Sequence, residues 1–131
     1  PPQLIAEKRG AVAEQAIDRL LAAAESYPHR DEYGLWPGPN SNTFIAYLLR
    51  EVPELGMGMP PNAIGKDYLP SGRLFGPAPS GTGYQLSLAG ALGILVALEE
   101  GLEVNVLGFS MGIDPAGPAL LLPGMGRVGW D

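Results

Sequence analysis

Ser41 is the residue of this 131-residue chain whose setting best suits nucleophilic chemistry. It lies in Trp36-Pro37-Gly38-Pro39-Asn40-Ser41-Asn42-Thr43-Phe44, where prolines and a glycine halt the chain before an apolar-periodic segment. Asn, Ser and Thr side-chain oxygens accept from the N–H groups that a first helical turn leaves unsatisfied. The spacing therefore predicts a helix opening at or beside Ser41, with Phe44, Ile45, Leu48 and Leu49 burying one face. Arg50 stands near its end and no Asp or Glu in its first turn, so the positive end of the helix dipole is unopposed. A bound anion or a developing oxyanion would be favoured there.

A serine hydroxyl needs a base. His29, the sole histidine, lies 12 residues upstream. Lys66 with Asp67 offers a serine–lysine arrangement, in which a desolvated lysine takes the proton. Each group has a plainer reading. Asn40 to Thr43 can be a helix cap and nothing more. His29, between Pro28 and Arg30-Asp31-Glu32, reads as a solvated loop residue, and Lys66–Asp67 as a surface pair of little energetic weight. Trp36 would either wall a pocket beside Ser41 or pack as a staple on the first turn. Asn40, Asn42, Trp36, Lys66 and Asp67 are the candidate supporting residues.

The elements that must position these groups follow from the pattern. Residues 11–26 read as an alanine-rich helix with Val12, Ala16, Leu20, Ala23 and Ala24 on one stripe, ended by Pro28. Tyr33 to Trp36 reads as a short strand or extended segment. From Pro53 to about Gly83, glycines and prolines interrupt every period, giving a long loop of the kind that is often functional when ordered. Beyond it, Tyr84–Leu88 and Leu102–Leu107 alternate, Gly93–Leu98 is apolar, and Glu99-Glu100-Gly101 and Asp114-Pro115-Ala116-Gly117 read as turns. The expectation is an antiparallel meander with a last strand at Ala119–Leu122. Ile94–Leu98 joined to Leu88–Ala91 as a helix is the alternative. The class is α+β: helices followed by a small antiparallel sheet in a single domain, 1–131.

Two resemblances bear on function. Asn40-Ser41-Asn42-Thr43-Phe44 resembles the Asn-Cys-Asn-Thr-Phe segment of the desumoylating isopeptidases, in the permuted papain-like group that also resembles NlpC/P60 proteins. There the nucleophilic cysteine opens a helix and its histidine comes from an upstream strand. A wider set is similar to an uncharacterised bacterial family, domain-of-unknown-function family 3750. It comprises the Trp36–Phe44 stretch, Pro53-Glu54-Leu55, Pro60–Tyr68, Glu100-Gly101-Leu102-Glu103 and Leu122–Arg127, spanning most of residues 11–129. The resemblance implies a papain-like cleft, a preceding region that carries a hydrophobic segment, and an association with the cell envelope. Pro1-Pro2, with no initiator methionine, fits a chain that is the C-terminal part of a larger domain. Ser41 stands where the isopeptidases have cysteine, and the chain has no cysteine at all.

Composition narrows the classes. A formal charge of −6 leaves nothing to neutralise phosphates, arguing against nucleic acid and anionic membrane. Without cysteine there is no disulfide scaffold or thiolate metal site, and one histidine with scattered carboxylates implies no metal. The longest apolar run, Leu86–Leu98, is too short for a bilayer-spanning helix. Gly65-Lys66-Asp67, with Pro60 in place of the first glycine, is no phosphate loop, and Gly81-Thr82-Gly83 lacks the third glycine at Leu86. No cofactor is implied. Three functions remain, two of them from the residues and the resemblance together: a non-catalytic cleft for a peptide, glycan or lipid group, and a Ser41-centred amidase, peptidase or acyltransferase whose base lies upstream. A purely structural envelope module is a third.

Overall fold

Alanine, leucine and glutamate favour helix over residues 11–25, and the computed structural model, which describes Leu4 and residues 6–129, places helix α1 at Ala11–Glu25. Pro1-Pro2 lies outside the described residues. Helix α2 runs Ser41–Glu51, with Asn40 as its cap. The two helices pack through Ala16, Ala46, Leu49 and Val52, joined by Leu55, Met59 and Ala63 of the following loop. Ala23, Tyr27 and Tyr47 form a second cluster beside Phe44 and Leu48. The expected α1 stripe begins later than its pattern suggests, since Val12 is exposed, and Ile45 of α2 is also exposed while Thr43 is buried. Thr43 is drawn inward by polar bonds described below, which rotates the buried face away from Ile45.

Among the described residues, seven strands follow as one antiparallel meander in chain order. They are β1 (Phe75–Pro77), β2 (Gly83–Leu88), β3 (Leu92–Ala97), β4 (Gly101–Val106), β5 (Phe109–Asp114), β6 (Ala119–Leu122) and β7 (Gly126–Gly129). The α+β class and the hairpin at Gly101 are as expected, and Leu92–Ala97 is strand rather than helix. Tyr33–Trp36 is not a strand but a bent loop. The long loop contains two short 3₁₀ turns and β1.

The sheet reverses the usual polarity. Alternating strands ordinarily turn their apolar face to the core. Here Gln85, Ser87, Glu103, Asn105 and Ser110 are all buried, while Leu86, Ile94, Val104 and Met111 are about half exposed. Cross-strand register aligns the outer row Tyr84, Val96, Leu102, Ile113, Leu120 and Val128. A parallel outer row holds Phe75, Leu86, Ile94, Val104 and Met111. The inner face is filled by the Pro60–Tyr68 segment, whose polar groups need the polar side chains above them.

Lys66 is the centre of that inner layer. It is fully buried, and its ammonium pairs with the Glu103 carboxylate, itself 2% exposed. Asp67 is likewise buried. Its carboxylate accepts from Ser110 Oγ at 3.0 Å, and its carbonyl accepts from Ser87 Oγ at 2.5 Å and Gln85 Nε2 at 3.3 Å. The surface pair expected of Lys66 and Asp67 is therefore wrong: each is buried and bonded to the sheet. A lone charge there would be too costly to desolvate, so each requires a partner from a different strand.

Burial pushes the Glu103 carboxyl above the usual glutamate range, against the opposing charge and hydrogen bond of Lys66; Asp67 and Glu100 push it further up. A raised acid means the folded state holds the proton more tightly than the unfolded chain. Its contribution to stability is full below the ordinary value of about 4.3 and is lost as pH rises through the folded value. Glu103→Gln is expected to flatten the fall in unfolding free energy over that window, as read by urea titrations at a series of pH values. Equal slopes in both proteins would contradict the assignment. Glu103→Ala, which leaves Lys66 buried without a partner, is expected to cost about 3–5 kcal/mol.

Candidate functional site

The proline-flanked stretch before α2 delivers Asn40 in an extended conformation, and its amide becomes a hub. Asn40 Oδ1 accepts from Asn42 N at 3.0 Å and Thr43 N at 3.1 Å. Asn40 Nδ2 donates to Leu35 O and Ile64 O, both at 3.1 Å. Thr43 Oγ1 accepts from Asn40 N at 3.1 Å and donates to Gly65 O at 2.8 Å. Asn42 Nδ2 donates to Ile64 O at 2.9 Å. So the helix cap also fastens the loop that carries Lys66. Gly65 has φ +100°, and a Cβ there would overlap the Asn40 amide, so this position needs glycine for both conformation and space.

Ser41 is the first residue of α2 and is exposed. Among the described residues its hydroxyl bonds to nothing in the chain, so it is not the cap; Asn40 is. The positive end of the helix is also largely used. Asn42 N and Thr43 N bond to the Asn40 side chain and Phe44 N to its carbonyl, leaving the Ser41 N–H as the donor without an acceptor among the described residues. One free N–H is a thin oxyanion site compared with the paired donors that acyl transfer uses.

His29 is not the solvated loop residue that its neighbours suggest. It is 9% exposed, with Tyr27 and Tyr68 set edge-on to its ring at centroid distances of 5.7 and 5.6 Å. Its Nε2 accepts from Ser71 N at 3.3 Å, so Nδ1 carries the proton and donates to Glu32 Oε2 at 3.1 Å. This is the tautomer of a general base held by a carboxylate, yet the lone pair points at a backbone N–H. His29, Glu32 and Ser41 line one hollow of about 300 Å³ with Tyr27, Tyr33 and Phe44.

The other candidates lie elsewhere. Lys66 and Asp67 serve the sheet, so they do not form a serine–lysine pair with Ser41. Trp36 neither walls the hollow nor staples α2. Its Nε1 donates to Leu107 O at 2.7 Å, and its ring packs on Gly108, in the β4–β5 turn. Arg50 donates to Pro77 O, Lys66 O and Gln85 Oε1 at 3.0, 2.9 and 2.7 Å, while its buried Nη1 has no partner among the described residues. Burial pushes its guanidinium down to about 10, opposed by Asp67 and Glu100, so it stays charged at neutral pH. Glu103, Ser110 and Gln85 escape sequence reasoning because a polar residue alternating with valine or leucine reads as solvent-facing. Among the described residues no cluster of three His, Asp or Glu side chains is arranged to hold a metal ion.

These geometries separate Asn40 from its neighbour. Asn40→Ala removes the cap and two bonds to flanking carbonyls and is expected to cost about 2 kcal/mol in urea denaturation. Gly65→Ala should cost at least as much, and Ser41→Ala no more than about 0.5 kcal/mol. Equal losses for Asn40→Ala and Ser41→Ala would contradict this division of roles.

No curated protein and no solved structure matches the chain. A family model described as "Protein of unknown function (DUF3750)" matches residues 1–68, just over half of the sequence. It takes in the Asn40 hub and the Lys66 loop, whereas Glu100–Glu103 and Leu122–Arg127 lie beyond it. The chain thus belongs to the DUF3750 family of proteins of unknown function.

Proposed function

We propose that the hollow beside Ser41 is a non-catalytic binding site for a small group of a peptide, glycan or lipid. The observation that carries this reading is the commitment of the chemistry around Ser41. The imidazole lone pair meets the Ser71 N–H, and the first-turn N–H groups meet Asn40. Binding needs neither an activated hydroxyl nor paired oxyanion donors. It needs a lined concavity, and Tyr27, Tyr33 and Phe44 give flat apolar surface beside the polar edges of Glu32 and Arg30. A cell-envelope setting, taken from the family resemblance, would supply such ligands.

A second reading keeps Ser41 as the nucleophile of an amidase, peptidase or acyltransferase. Its support is the exposed, uncommitted hydroxyl at the first position of α2. The permuted papain-like resemblance would then require a base from an upstream strand, because His29 Nε2 is occupied.

Fluorophosphonate labelling of the full-length protein decides between them. The binding reading predicts no label at Ser41 by peptide mass spectrometry, with wild type and Ser41→Ala alike. Label on Ser41 that disappears in Ser41→Ala would overturn it. Amide chemical-shift mapping with amino-acid, sugar and phosphate-ester fragments should move the Ser41 and Asn42 signals. Signals unmoved by every fragment would count against a ligand site.

A further inference from the structure

We propose that two copies of this chain pack face to face through the apolar side of the sheet. Every outward strand position is Leu, Ile, Val, Met, Phe, Tyr, Pro or Gly, with no charged side chain among them. Leu86, Ile94, Val104 and Met111 form its centre, each 41–55% exposed, and no other described element covers them. Soluble monomers rarely leave such a face open.

Area points to the occupant. Seven strands spaced about 4.8 Å apart, mostly six residues long at about 3.4 Å per residue, give a flat face of roughly 600 Å² in projection. The corrugated side-chain surface exceeds that projection. It therefore approaches the roughly 800 Å² that a stable association takes from each partner. Two such sheets stack about 10 Å apart with side chains interdigitating, the arrangement of a β-sandwich. A charge-free face is complementary to itself under a two-fold axis and sets no charge against its like. β4 is the middle strand of the seven, so the axis passes near Val104. A net charge of −6 makes an anionic lipid surface the poorer partner.

The chain has no cysteine, which makes the geometry directly testable. Sedimentation equilibrium at micromolar concentration should give twice the mass of the single chain. Val104→Lys should return it to a monomer with unchanged far-UV circular dichroism. A single-cysteine Val104→Cys variant should be joined into a dimer by a short bis-maleimide linker, and Glu14→Cys on the far helix should not. The cysteine pair decides the matter should Val104→Lys fail to fold. A monomer at all concentrations would overturn the proposal. So would a dimer that survives Val104→Lys without Val104→Cys cross-linking, or a monomer that sediments with phosphatidylcholine vesicles, which would make lipid the occupant.

Discussion

A buried ammonium with one carboxylate partner sets the terms for this fold. Lys66 has no solvent, and Glu103 reaches it from the middle strand of the sheet. Breaking such a pair is far more costly than the pair is stabilising, so its main effect is to specify an arrangement. The sheet must present its polar side to the loop, which places Glu103, Asn105, Gln85 and Ser87 inward. Because strands alternate, the leucines and valines between them are forced outward. The polarity reversal of the sheet follows from Lys66, Asp67 and Arg50 needing polar partners on its inner face.

The Asn40 hub determines whether Lys66 arrives. Asn40, Asn42 and Thr43 bind the Ile64 and Gly65 carbonyls, and the next residue is Lys66. Asp67 then bonds to Ser110 and Ser87, Tyr68 packs on His29, and His29 holds Ser71. The Asn40–Thr43 run thus acts as the fastening between α2 and the loop that bonds to the sheet. Ser41 is the member of that run that the fastening does not use, which is why it can face a hollow.

Much of the secondary structure was legible in the sequence. Alanine periodicity located α1, the proline-flanked polar run located the start of α2, and turn residues located the hairpins at Gly101 and Asp114–Gly117, whereas β7 follows the strand that reads as the last. The burial of the sheet was not legible, because Leu102-Glu103-Val104-Asn105 has the same alternation whichever face is inward. The tertiary placement of groups such as Lys66 breaks that symmetry, and Lys66 lies 37 residues from Glu103 in sequence. The site was partly legible. Asn40 as a cap follows from local chemistry, but the burial of His29 depends on Tyr27 and Tyr68 arriving from either side. Charged neighbours in the sequence gave the opposite impression.

The central claim is that the Asn40 hub and the Lys66–Glu103 pair act as one unit. A double-mutant cycle of Asn40→Ala and Glu103→Ala, read by urea denaturation, tests it most directly. Independent sites that share no partner add to within about 0.3–0.5 kcal/mol. If the hub delivers Lys66 to Glu103, the double variant should lose less than the sum of the single losses, by about 1 kcal/mol or more. Strict additivity would contradict the account and would make the cap and the buried pair two separate features of the fold.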